Sequence, residues 1–239
     1  MSRRFSHAPA WAATCLLLAF AAPLPAAADD LAGPDPALTP AAADAAWRFR
    51  VFLDDKEIGY HDFFLDEHGP GEDGGIRQLR SVAKFEYRVL GLRLYHYEHE
   101  NVETWSDGCL QSIESWTDAN GRPFAVAGQA EPAPDSGFRV RGSAGEETLP
   151  GCVMSFAYWN PAFLQQERLL NTQTGKFHEV EVSAPVRDTL LLRGEPRDAW
   201  RYRVAAEGLR LDLWYSAERE WLALESEVKS GRTLRYVLN

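Results

Sequence analysis

From Trp47 to Leu238 the chain keeps returning to one pattern: a large apolar side chain at every second position, broken by short polar turns. A period of two belongs to a strand with one buried face, and no other feature constrains this chain as strongly. Trp47, Phe49, Val51 and Leu53 alternate with Arg48, Arg50 and Phe52. Residues 54–57 read as a turn, 58–65 as the returning strand, and 66–75 as a polar, glycine-rich loop. Leu79, Ser81, Ala83, Phe85, Tyr87 and Val89 share one face of the next strand, with Gly91 at its turn. Residues 92–105 form a long strand or a bent pair, and 109–117 run back to Asn120-Gly121, a hairpin signal. Shorter strands are expected at 124–129, 138–141, 169–172 and 177–182. The tail alternates again through Trp200, Tyr202 and Val204, then Leu209, Leu211, Leu213 and Tyr215, with two more strands at 221–228 and 233–238.

One segment departs from this rhythm. Asn160 can cap free amides and Pro161 suits a first helical position, so the sequence predicts a short helix from 161 to about 168. Phe163, Leu164 and Leu170 supply its apolar side. So many short strands with so little helix describe a mainly β fold. An antiparallel meander this long must close into a barrel or curve into a half-barrel to manage its edges, with the one helix packed on it. A single β-barrel-like domain is expected over residues 47–239.

The first 28 residues read as an export signal: Arg3 and Arg4, an uncharged run of 12 residues from Trp11 to Ala22, then Ala26-Ala27-Ala28 before Asp29. Cys15 precedes Leu16-Leu17-Leu18 instead of following the apolar run, which rejects a lipid-modified cysteine. Residues 29–46, rich in Ala, Pro and Asp, read as a flexible leader. The expected location is the periplasm or the exterior. The apolar run is too short to span a bilayer comfortably, so no membrane-spanning segment is expected once the signal is removed. A net charge of −10 argues against a nucleic-acid partner. With 45% hydrophobic residues, the chain can bury a real core.

Signal removal leaves Cys109 and Cys152. In an oxidising compartment an even pair invites a disulfide, the alternative being two buried, inert thiols. Catalytic signatures are absent from the sequence: there is no nucleophile elbow, zinc-protease motif, phosphate loop or dinucleotide glycine motif. His96-Tyr97-Glu98-His99-Glu100 is the densest run of possible metal ligands. On a strand His96, Glu98 and Glu100 share a face while His99 points to the other, a pattern that reads as a solvated polar face. No catalytic residue, metal site or cofactor is assigned.

Tryptophans 47, 105, 116, 159, 200, 214 and 221, with tyrosines 95, 97, 158, 202 and 215, pack across strands or line a cavity for an apolar ligand. Trp159, Phe163, Leu164, Trp214 and Tyr215 are the lid or cavity candidates. Trp214 falls on the otherwise polar side with Arg210 and Asp212, so it marks a rim or a second packed layer.

Several blocks carry a family likeness: Phe52-Leu53-Asp54-Asp55-Lys56-Glu57-Ile58-Gly59-Tyr60-His61, Trp159-Asn160-Pro161-Ala162, Leu169-Leu170-Asn171-Thr172-Gln173-Thr174-Gly175, Leu213-Trp214-Tyr215, Trp221-Leu222-Ala223-Leu224-Glu225-Ser226 and Tyr236-Val237-Leu238. Together they resemble a domain-of-unknown-function family of small proteins exported by Gram-negative bacteria. In architecture alone the chain is similar to the LolA/LolB lipoprotein-carrier half-barrels, which cover an apolar cavity with a helix. The family likeness implies export and a β-rich fold but no catalytic residue. The expected function is a periplasmic module binding an apolar small molecule, lipid or acyl chain. The alternative is a protein-interaction or envelope-structural module with a fully packed core, its protein partner unknown; an enzyme ranks third.

Overall fold

Alternation becomes geometry in a computed structural model that describes residues 45–68, 75–132, 137–143, 145–228 and 231–239. The predicted signal at 1–28, Cys15 and nearly all of the predicted leader lie outside these residues. The strands are β1 (Trp47–Leu53), β2 (Lys56–His68), β3 (Ile76–Val89), β4 (Leu92–Ser106), β5 (Cys109–Ala119), β6 (Arg122–Ala130), β7 (Phe138–Gly142) and β8 (Gly145–Leu149). After a crossing segment come β9 (Arg168–Leu170), β10 (Phe177–Val182), β11 (Val186–Leu192), β12 (Glu195–Ala206), β13 (Leu209–Tyr215), β14 (Trp221–Glu227) and β15 (Thr233–Leu238).

All belong to one antiparallel sheet ordered β8-β7-β6-β5-β4-β3-β2-β1-β15-β14-β13-β12-β10-β9, with β11 on the side of β12. β8 and β9 end this order without pairing to each other, so the sheet curls but does not close. β1 and β15, the first and last strands, pair inside the sheet: Phe49 is opposite Leu238 and Leu53 opposite Leu234. The inward row of β4 shows how the pattern builds the core. Tyr95, Tyr97, His99, Asn101, Glu103 and Trp105 are all buried, while the residues between them are half-exposed. Predicted strand 92–105 is therefore one strand, bent by a register shift at Thr104/Trp105 where it pairs with β5.

The concave face is crossed by residues 150–176. The Leu110 amide donates to the Val153 carbonyl at 2.9 Å, Leu170 to Met154 at 2.9 Å, and Ser143 to Thr174 at 2.9 Å. Ser115 Oγ donates to the Thr172 carbonyl. Gly142 allows this approach, since a Cβ there would lie 2.3 Å from the Thr174 carbonyl oxygen. A disulfide joins Cys109 to Cys152 with Cα atoms 5.1 Å apart, tying the start of the strap to the start of β5. Bridging residues separated by 43 positions contributes about 4 kcal/mol in the chain-entropy model.

The predicted helix is shorter than expected and of another kind: a 3-10 helix over Pro161–Gln165. Its cap works as the sequence suggests, with Asn160 Oδ1 accepting from the Ala162 amide at 3.1 Å. It stops early because sheet pairing claims the next residues. Gln166 is extended, the Val180 amide donates to the Glu167 carbonyl at 2.8 Å, and Arg168–Leu170 pairs with β10. Two strands, β8 and β11, have no counterpart in the sequence reading. Among the described residues no helix is long and apolar enough to cross a membrane.

Candidate functional site

Because β1 and β15 lie between them, β2–β4 and β13–β14 face each other across the curl. The strap roofs the gap, leaving a cavity of about 110 Å³. One wall is polar and aromatic: His61 and Phe63 on β2, Ser81 on β3, and Tyr97, His99, Asn101 and Glu103 on β4. The opposite wall is aliphatic, with Leu209, Leu211, Leu224 and Leu234. Residues 156–159 and 171–173 form the roof.

The polar wall is held in place from several sides. His61 stacks on Phe63 with ring centroids 4.1 Å apart, and its Nδ1 lies 3.4 Å from the Tyr236 hydroxyl. His99 Nδ1 is hydrogen-bonded to Thr117 Oγ1 at 2.8 Å. Tyr97 stacks on Phe85 and donates its hydroxyl proton to Gln173 Oε1 at 3.2 Å, linking the wall to the roof. The Trp105 indole N–H donates to Glu103 Oε2 at 3.1 Å. Asn171 shapes the roof by accepting from the Gln173 and Thr174 amides at 2.9 and 3.0 Å.

Burial sets the ionisation of this wall, because a charge in a dry site is costly. It pushes the His99 imidazole down to about 4. Burial, reinforced by the neighbouring His99, holds His61 well below its ordinary value. Glu103 is raised by burial, against the pull of Ser155, Asn101 and Trp105. Both imidazoles are therefore neutral at pH 7. Three buried polar atoms on lining residues lack a protein partner: His61 Nε2, Asn101 Oδ1 and Trp159 Nε1. Such a site can offer a neutral imidazole nitrogen, accept through amide oxygen, donate from indole, and cover an apolar body with leucines.

Of the sequence candidates, Trp159 is in the cavity, packed edge-on against Trp105 with centroids 5.7 Å apart. Phe163 is fully buried and sits edge-on to Tyr158, behind the roof. Tyr215 is buried and donates its hydroxyl proton to the Tyr158 carbonyl at 2.8 Å, so it supports the roof without lining the cavity. Leu164 and Tyr215 border a separate surface cleft with Pro161, Trp200 and Tyr202. Trp214 is neither exposed nor at the cavity. It packs in a second, outer cluster with Ala199, Leu222 and Ala223, where Leu190 and Leu192 of β11 cover it, and its indole donates to Asp188 at 2.9 Å. That is the second packed layer, made by the β11–β12 hairpin.

The run at 96–100 divides as its period requires. On the outer face His96 meets Asp118 at 3.1 Å, Glu98 meets Lys84 at 2.7 Å and Glu100 meets Arg80 at 3.7 Å. Among the described residues no group of three or more His, Cys, Asp or Glu is placed to hold a metal ion. The polar wall itself, His61, Ser81, His99, Asn101 and Glu103, was not anticipated as a site. The available signal was parity, since His99, Asn101 and Glu103 share the odd positions of β4 with Tyr95, Tyr97 and Trp105.

No curated protein matches this chain by sequence. A solved β-barrel-like protein of the domain of unknown function DUF1849 from Brucella abortus is similar in structure, with a TM-score of 0.51, 11% identity, and coverage of 81% of this chain and 94% of that one. At that identity the likeness shows a shared fold alone. The sequence profile of the domain of unknown function DUF6134 matches residues 49–239, the whole curled sheet with its roof and cavity, and the chain belongs to that family.

Proposed function

We propose that this protein is an exported, periplasmic module that binds a small amphipathic molecule, such as a short acyl compound or one end of a lipid. The observation that carries this reading is the pairing of unpartnered polar atoms with an apolar wall across one cavity. Native proteins rarely leave buried donors and acceptors unmatched, and each unmatched group costs about 1–3 kcal/mol. A bound head group satisfying His61 Nε2, Asn101 Oδ1 and Trp159 Nε1 would recover that cost. The body of the ligand would lie along Leu209, Leu211, Leu224 and Leu234. A cavity of about 110 Å³ approaches the size that holds a single aromatic ring, so a whole long acyl chain requires displacement of the strap.

The test is native mass spectrometry of protein extracted from the periplasm without detergent, followed by titration with a fluorescent short-chain acyl probe. A co-purifying mass and saturable uptake are expected in the wild type. Leu211→Phe, which fills the cavity from the apolar wall, should abolish uptake while the protein stays folded. Folded wild-type protein with neither bound mass nor saturable uptake overturns the reading and leaves a structural or interaction module with a water-filled polar pocket.

A further inference from the structure

The β3–β4 hairpin ends in an exposed apolar tip. Leu90 is 97% exposed, Leu92 69%, Leu94 41% and Val89 39%. Scattered surface leucines are ordinary, but four large apolar residues exposed within the six positions 89–94 are not. Beside the hairpin, β2 pairs with β3 as far as Phe85 and β5 with β4 as far as Tyr97, after which Lys56 Nζ donates to the Arg88 carbonyl and the Asn120 amide to the His96 carbonyl at 2.9 Å. Only the turn at Val89–Leu92 therefore extends past the last paired residues of both neighbours.

The turn residue is as unusual as its exposure. Leu90 has φ 49° and Gly91 φ 82°, a pair of left-handed conformations that closes a two-residue hairpin. At the equivalent turns Asp107-Gly108, Asn120-Gly121 and Arg193-Gly194 the first position is polar, and Asp and Asn tolerate that conformation best. Leucine there gains nothing from the backbone and nothing from burial. Two local disadvantages at a single residue point to a role outside the folded chain.

The surroundings specify what it meets. Residues 84–94 carry Lys84, Arg88 and Arg93 against Glu86, a net +2 in a chain whose total is −10, with Glu98 across the pair meeting Lys84. Lys56 and Arg232 both lie over the Tyr87 ring at 4.6 Å at the base of the hairpin, where Arg232 pairs with Asp54 at 2.7 Å. An apolar tip flanked by Arg88 and Arg93, which share the single acid Glu86, is complementary to an anionic lipid surface: the leucines enter the acyl boundary while the cations stay with the head groups. We propose that the β3–β4 hairpin tip inserts into an anionic bilayer surface and docks the protein there. This does not depend on the cavity holding a ligand.

The experiment is co-sedimentation of the purified protein with phosphatidylethanolamine–phosphatidylglycerol vesicles and with phosphatidylcholine vesicles. Wild type should pellet with the anionic vesicles, far less with the neutral ones, and be released by about 0.5 M salt. Leu90→Asn separates insertion from folding, because Asn-Gly is the preferred pair for this turn. The variant should melt at or above the wild-type temperature and still lose about tenfold in vesicle partitioning. Leu92→Thr, which suits a strand, should weaken partitioning in the same direction. Absence of wild-type pelleting, equal pelleting of wild type and Leu90→Asn, or indifference to lipid charge overturns the proposal. A tip that instead recognises a protein would give the first of these results.

Discussion

The imidazole of His99 lies between Tyr97 and Asn101 on the inward row of β4, and burial alone pushes it down to about 4. In the unfolded chain an imidazole titrates near 6.5. Between those two values the unfolded state holds a proton that the folded state refuses, so stability is present above 6.5 and drains away as the pH falls. Each unit of separation is about 1.4 kcal/mol, which gives a loss of about 2–3 kcal/mol between pH 6.5 and 4.5. Glu103 acts in the opposite sense: its raised carboxyl favours the folded state in acid and loses that contribution as the pH rises through its folded value. His99→Gln isolates the histidine. Urea unfolding at pH 7 and pH 4.5 should show wild type losing about 2–3 kcal/mol more than the variant, and parallel losses would refute the assignment. This residue also marks where the sequence was hardest to read. The period places His96, Glu98 and Glu100 outward, where His96 meets Asp118 and Glu98 meets Lys84, and His99 inward; what went unread is that the inward face is buried instead of solvated. Only the same parity continued through Asn101 and Glu103 to Trp105 marks the inward row as core.

At the scale of elements, strands with one buried face were legible wherever the apolar period ran long, as in β1, β3, β4 and β13. The two missed strands fail for physical reasons. β8, Gly-Glu-Glu-Thr-Leu, is an edge strand with a single buried residue, Leu149, so no alternation marks it. β11 buries none of its residues fully and covers the outside of the sheet, where Leu190 and Leu192 meet Trp214. The predicted helix was legible at its cap and not at its end, because β10 lies remote from Asn160 in sequence. The remaining 3-10 turn cannot stand alone, since one turn in water gains too little to offset its ordering. Phe163 anchors it from complete burial. Phe163→Ala should therefore lower stability by about 3–5 kcal/mol in a denaturant titration. A change below about 1 kcal/mol would mean that the roof is held by the Asn160 cap and the disulfide alone.

On the scale of the whole molecule, the N-terminal strand and the C-terminal strand are neighbours in the middle of the sheet, with Val51 opposite Tyr236. Ribosomal synthesis delivers β1 first and β15 last, so the seam between the two halves stays open until the final residues are available. Contacts this distant in sequence form late and slowly. The polar wall belongs to β2–β4 and the leucine wall to β13–β15, so the cavity does not exist before that seam closes. A chain ending at Glu227 should lack a cooperative unfolding transition, as read by near-ultraviolet circular dichroism on heating, because β1 and β14 would each present a bare edge. A native-like transition in that truncation would show that the halves fold independently. Under the export proposed above, this arrangement would act as a timer: the first half would cross with no partner to trap it, and the arrival of β15 would license the native state on the far side.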